Sequence, residues 1–228
     1  MKKIIFGIFA HPDDESFGPA GTLLMEVESG ADVHLITLTA GDGGMNVDNH
    51  DDLASVRLEE WRKAGSIIGA KSMHFLGYKD GTLSNLLMIE IYTKLNELIT
   101  SIIKNETEDI EIELMSMDLN GVTGHIDHIV AARSTCYAFY SLKAHDGRFS
   151  RIRLACIPQT HAPSHNTNWL FMEAGRSDTE INEIVDATAY QDQLRQIVQT
   201  HHTQRSDGNN YLQTVGDKLG MNYFIVKT

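Results

Sequence analysis

The feature that most restricts the fold of this chain is an alternation. Short β-branched and aromatic runs of strand length take turns with longer stretches whose apolar residues recur every three or four positions. Residues 3–9, 32–39, 72–76, 111–115, 152–157, 183–187 and 223–226 read as strands. Residues 18–29, 53–68, 84–103, 126–142 and 190–201 read as helices, the first closed by Gly30 and the second by Gly69. Strands that alternate with helices build βαβ units around a mostly parallel sheet.

At 228 residues with 42% apolar content, the chain is expected to form a single domain over 1–228 with one packed core. Its 19 Lys and Arg against 31 Asp and Glu give a formal charge of −12, which repels phosphate backbones, so nucleic acid is not an expected partner. Cys136 and Cys156 stand far apart and read as small buried hydrophobes. Residues 1–10 imitate a signal peptide, but the apolar stretch 4–10 is short and is followed at once by a carboxylate cluster, so it reads as a first buried strand of a cytoplasmic protein. No apolar run approaches the roughly 20 residues that span a bilayer, and no membrane partner is expected. Residues 158–178, rich in His, Asn, Ser and Gly, read as a long loop of the kind that is often functional.

Directly after the first strand come His11, Pro12, Asp13, Asp14 and Glu15. An imidazole and three carboxylates at the carboxyl end of a strand lie where open α/β sheets bind ligands. Burying such groups without partners is costly, and a divalent cation offsets the mutual repulsion of the acids. The competing reading is that Asp13, Asp14 or Glu15 caps the helix beginning near Pro19.

His125, Ile126, Asp127 and His128 follow the turn-prone stretch Asn120, Gly121, Val122, Thr123, Gly124, which suits a second strand-end loop at the same edge. With a helix starting near Ile126, the two histidines are one turn apart and can face one centre, one on a metal and one toward substrate. Asp127 can orient a ring nitrogen. Two histidines and a carboxylate with an open position suit catalytic zinc, and the same set can hold Fe(II).

These residues resemble those of the LmbE-like, or PIG-L, N-acetylglucosaminyl deacetylases. The resemblance rests on Ala10-His11-Pro12-Asp13-Asp14-Glu15-Ser16 with Gly18, Gly21 and Thr22, and on Thr39-Ala40-Gly41-Asp42-Gly43. It continues through Arg57, Glu60 and Ala64, the His125–His128 segment, and His201-His202-Thr203-Gln204. Gly124 and Ile126 depart from the family's usual form, as do Gln193, Arg195 and Gln196 where a Lys is expected.

The resemblance implies a Rossmann-like α/β fold with helices on both faces, and Zn2+ held by His11, Asp14 and His128. It also implies Asp13 as general base and His125 as oxyanion stabiliser or acid, with a protonated His125 expected to stabilise the oxyanion together with zinc. The implied reaction is hydrolysis of an N-acyl group on a small N-acetylated sugar or sugar conjugate. Arg57 is expected to bind a substrate hydroxyl or carboxylate or, alternatively, to pair with Glu59 or Glu60 along its helix. His201 is expected at the pocket rim. Asp42 reads either as support for the site or as a turn residue. His34, His50, His74, His145, His161, His165 and His202 belong to no motif and read as surface or packing residues. Two rival classes remain open: a non-haem Fe(II) oxygenase, and a non-catalytic nucleotide-binding module, although Gly18 and Gly21 do not make the dinucleotide fingerprint. A homo-oligomer is compatible with the sequence.

Overall fold

The computed structural model describes residues 1–106, 109–162 and 174–228. The core of the expected loop, 163–173, lies outside the described residues, and His165 with it. Seven strands form one sheet in the order β3-β2-β1-β4-β5-β7-β6. These are β1 (Lys2–Phe9), β2 (Asp32–Thr39), β3 (Ser72–Tyr78), β4 (Ile110–Met117), β5 (Phe149–Cys156), β6 (Glu183–Asp186) and β7 (Met221–Lys227). The first five in that order pair in parallel, while β7 runs antiparallel to both β5 and β6. The expected α/β class is therefore the observed one.

Residue alternation along β1 assigns the two faces of the sheet. Ile4, Phe6 and Ile8 enter one apolar cluster, and Ile5 and Phe9 enter the other. The first face is covered by α3 (Met88–Ile103) and α5 (Ile126–Lys143). Helix α3 buries Ile91, Leu95, Ile99 and Ile103, one per turn on a single stripe. The other face carries α1 (Ala20–Glu28), α2 (Leu53–Ile68) and α6 (Gln191–Thr200), all with residues in the second cluster. A short turn of helix, α4 (Gly121–Gly124), precedes α5, and α7 (Arg205–Val215) follows α6. Helix α7 had no counterpart among the expected elements, because its stretch is dominated by polar residues and only Gly208 in it is buried.

Local chemistry explains the helix limits. Asp52 caps α2 by accepting from Ser55 N at 3.0 Å, and Gly69 ends it in the left-handed region at φ 86°. Cys136 and Cys156 are free thiols; Cys156 is buried and Cys136 partly so. No helix among the described residues is long and apolar enough to cross a membrane.

The sheet order places β1 beside β4. Connections leave these two strands in opposite directions, β1 toward β2 and β4 toward β5, so a crevice opens between their carboxyl ends. The two His-rich loops flank this crevice.

Candidate active site and metal centre

Asp14 is the anchor of the first loop. Its Oδ2 accepts from the backbone N–H groups of Ala10 and His11 at 3.0 and 2.9 Å, which leaves Oδ1 for other partners. The capping reading of the acidic cluster fails at this point: α1 begins after Pro19 with no side-chain cap. Asp14 folds back onto the end of β1 instead of forward onto the helix.

Three potential ligands then converge. His11 Nδ1 lies 3.0 Å from His128 Nε2, His128 Nε2 lies 3.0 Å from Asp14 Oδ1, and His11 Nδ1 lies 3.7 Å from Asp14 Oδ2. Donors about 2.0–2.1 Å from one tetrahedral zinc sit roughly 3.3 Å from one another, so this triangle has the dimensions of a ligand set. The rest of each ring supports the same conclusion. His128 Nδ1 faces the Gly121 carbonyl at 3.1 Å, so its N–H is used there and the lone pair is on Nε2. His11 Nε2 faces carboxylate oxygens of Asp80 at 3.0 Å and Asp127 at 3.4 Å, without a well-aligned hydrogen bond to either. With acceptors on that side, a neutral His11 ring keeps its lone pair on Nδ1. In that form two lone pairs and a carboxylate face one point, a donor set that fits a divalent cation.

The electrostatics agree. Burial works against charge on His11, but Asp127, Asp14 and Asp80 outweigh it and push its pKa up to about 12. Burial likewise opposes the charge of Asp14, yet His128 and His11 hold its carboxyl well below the usual range. His128 is raised, again against burial, chiefly by Asp14. Carboxylates that retain protons on two facing imidazoles would stabilise a divalent ion in their place. His11 also groups by distance with His125 and His128, and separately with Asp80 and Asp127. In the latter trio both Asp127 oxygens and one Asp80 oxygen accept from backbone N–H groups, of Gly81, Leu83 and Gly43.

Asp13 stands next to this triangle in an unusual backbone conformation, φ 133°, sparsely populated by any residue with a Cβ. Val122, in the turn that presents Gly121 to His128, is also forced to positive φ, at 60°. Strain of this kind persists where surrounding contacts over-determine it, and here it occurs in both loops that carry the candidate ligands. Burial raises Asp13 to about 7, an effect moderated by the guanidinium of Arg57. Arg57 Nη2 donates to Asp13 Oδ2 at 2.9 Å and to the Pro12 carbonyl at 3.0 Å, and Nη1 donates to Gly41 O. Arg57 is 4% exposed, and these bonds brace the β1 and β2 loops. The expected helical pair with Glu59 or Glu60 is not formed. Glu60 turns away, accepting from Thr203 N at 3.0 Å and Thr203 Oγ1 at 2.6 Å.

His125 caps α5, its Nδ1 accepting from Asp127 N at 3.2 Å. The proton of the neutral ring therefore sits on Nε2. Burial, then the neighbouring His128 and His11, lower its pKa from 6.5. A cavity of about 390 Å3 opens beside it, lined by Gly81, Gly124, His125, Ile126 and Asp127. A second cavity of equal size, between the carboxyl ends of α3 and α5, shares none of these residues.

His201 lies elsewhere than expected. It is 1% exposed, its Nε2 2.8 Å from Ser16 Oγ, which in turn donates to Glu15 Oε1 at 2.6 Å. Burial drives His201 down to about 3 and Glu15 up to about 8. The trio superficially resembles a nucleophile relay, but Glu15 contacts the serine and not the far nitrogen of the histidine, and Ser16 is itself buried. It is an internal brace beneath the β1 loop. Asp42 is exposed, and the carboxylate that reaches the site from this side is Asp80. Asp80 was not singled out from the sequence. Its position in the turn Tyr78-Lys79-Asp80-Gly81, just past a strand at the ligand-binding edge, is the signal that could have found it.

Comparison with known proteins follows this geometry. The family model for GlcNAc-PI de-N-acetylase, PIG-L, matches residues 6–139, more than half of the chain. A 1D-myo-inositol 2-acetamido-2-deoxy-alpha-D-glucopyranoside deacetylase 1 from Catenulispora acidiphila is 26% identical over 259 residues, covering 95% of this chain and 79% of the relative. Among solved structures, the N,N'-diacetylchitobiose deacetylase of Pyrococcus horikoshii superposes with TM-score 0.65 and 17% identity, covering 99% of this chain and 82% of that one. A 4-carboxy-2-hydroxymuconate hydratase from Pseudomonas putida KT2440 superposes with TM-score 0.68 and 16% identity, covering 100% and 97%. A teicoplanin deacetylase in a zinc-inhibited form gives TM-score 0.63 at 13% identity, covering 100% and 98%. These structural likenesses establish the fold.

Proposed function

The chain belongs to the PIG-L family of GlcNAc-PI de-N-acetylases, and from that premise we propose that it is a zinc-dependent hydrolase removing an N-acetyl group from an amino-sugar conjugate. The observation that carries the proposal is the triangle of His11 Nδ1, Asp14 and His128 Nε2, with Asp13 alongside. Fold alone would not select this chemistry, since a hydratase shares it. The inositol-conjugate deacetylase name of the Catenulispora relative supports an N-acetylglucosamine-type substrate.

His11, Asp14 and His128 would hold the ion, which when bound supplies Lewis acidity and brings the pKa of water from 15.7 toward roughly 7. Asp13, raised to about 7 by burial, is poised as a base near neutral pH and would take the proton of the attacking water. Arg57 fixes that carboxylate in place through Nη2. His125, with Nδ1 engaged by Asp127 N, offers its Nε2–H to the oxygen on which negative charge develops. Such a donor contributes roughly 3–4 kcal/mol when tested singly. The departing amine would recover its proton from Asp13. The 390 Å3 cavity beside His125 has room for part of a sugar ring system.

The rival readings lose support. The Fe(II) oxygenases weighed above use a barrel of many short strands, and this sheet is open and mostly parallel. A phosphate cradle after β1 would need free backbone N–H groups, and Asp14 already occupies those of Ala10 and His11. Free thiols at Cys136 and Cys156 suit a cytoplasmic enzyme. Metal analysis of the purified chain, followed by an assay for free amine across N-acetylated glucosamine conjugates, tests the proposal. Zinc near one equivalent with chelator-sensitive amine release is expected; amide-independent turnover, or a requirement for oxygen, would end it.

A further inference from the structure

One ring nitrogen joins three strand-end loops and the start of α5. His11 Nε2 is enclosed, its side chain 9% exposed, with Asp80 Oδ1 at 3.0 Å and Asp127 Oδ2 at 3.4 Å. The two carboxylates are not equivalent. Asp127 accepts backbone N–H bonds on both oxygens, from Gly81 at 2.8 Å and Leu83 at 3.1 Å. Asp80 accepts from Gly43 N at 2.9 Å on Oδ2 alone and turns Oδ1 to the imidazole. The β2 loop packs closely enough there that a Cβ on Gly43 would stand 3.1 Å from Asp80 Oδ2.

A neutral imidazole has one proton to place. On Nδ1 it would point at His128 Nε2 and Asp14 and exclude a cation; on Nε2 it leaves the Nδ1 lone pair free for one. We propose that Asp80 is the positioning residue that decides this: the negative charge of Oδ1, 3.0 Å from Nε2, favours the His11 proton on that nitrogen and so keeps Nδ1 directed at the cation. The inference rests on the metal-centre reading above. It extends that reading by assigning to the β3 loop a control over metal affinity without direct contact with the ion. Outer carboxylates that orient ligating histidines are typically worth 10–100-fold in affinity. The competing role is a plain tether between Asp80 and Gly43.

The test compares the full-length wild type with Asp80→Ala and, should that variant not fold by circular dichroism, Asp80→Asn. Zinc affinity is measured by competition with a chromophoric chelator, and the Nε2 proton of His11 is followed by NMR in the zinc-loaded protein. The expected result is a 10–100-fold weaker affinity, with the downfield Nε2 proton resonance shifted upfield or lost to exchange. Affinity within about twofold of wild type overturns the proposal. So does weaker affinity with that resonance unmoved, which assigns Asp80 to tethering. Wild-type protein that takes up no zinc refutes the metal-centre reading itself and this inference with it, before any variant is compared. Wild-type protein that binds zinc but releases no amine refutes only the proposed activity.

Discussion

Replacing Arg57 with Met separates the bracing role of this residue from a substrate-binding one. The side chain is 5% exposed and Asp13 opposite it 13% exposed, so the pair is largely shielded from solvent. Met keeps much of the aliphatic volume and removes the donors to Asp13, Pro12 and Gly41. Breaking a buried pair by removing one partner costs about 3–5 kcal/mol, because the remaining charge is left uncompensated. For a chain of this size that corresponds to a melting temperature lower by about 6–20 °C, within the 5–15 kcal/mol stability typical of folded proteins. Urea denaturation at pH 7.5 measures it. The same substitution has a kinetic signature. Burial has already raised Asp13 to about 7 and Arg57 restrains that rise, so its loss moves the acidic limb of kcat/KM to higher pH. A destabilisation below about 1 kcal/mol, an unmoved acidic limb and a higher KM would refute this reasoning and return Arg57 to the substrate.

Asp13→Ala should retain about one zinc and lose about 10²–10⁴-fold in turnover, whereas His128→Ala should lose both zinc and turnover; metal content with amine release checks each. In the wild type, a base with pKa near 7 must be ionised, so kcat/KM should fall about tenfold per pH unit as pH drops below that value, and a flat profile from pH 5 to 8 would exclude Asp13 as the base. Glu15 is raised by burial from 4.5 to about 8, so the folded state binds a proton that the unfolded chain releases, and stability is lost as pH rises from about 4.5 to 8. Glu15→Gln should flatten that window, where the wild-type slope reaches about 1.4 kcal/mol per pH unit, as read from denaturation at pH 5 and pH 8. Thr203→Val deletes the 2.6 Å bond to Glu60 in a buried setting and should cost about 1–3 kcal/mol in urea denaturation, with zinc content unchanged.

Much of this protein was readable from its residues in order. Asp32–Thr39 and Leu53–Ile68 fall where periodicity alone puts them, and Gly69 closes its helix as expected, since burial on one stripe and a left-handed cap are local properties. The adjacency of His11, Asp13 and Asp14 to a strand end was also local information. What periodicity cannot encode is which strand lies beside which. Only the order that sets β1 against β4 brings His128 within 3.0 Å of His11, and only the β3 loop folded over that edge brings Asp80 to the far side of the same ring. Arg57 and His201 both lie inside the protein, Arg57 tying the β1 and β2 loops together and His201 meeting Ser16 instead of standing at the pocket rim. A side chain's partners depend on the three-dimensional meeting of segments far apart in sequence, here 44 residues for Arg57 with Asp13 and 185 for His201 with Ser16. The chemistry was written in the loops, and the sheet decided which atoms of it could meet.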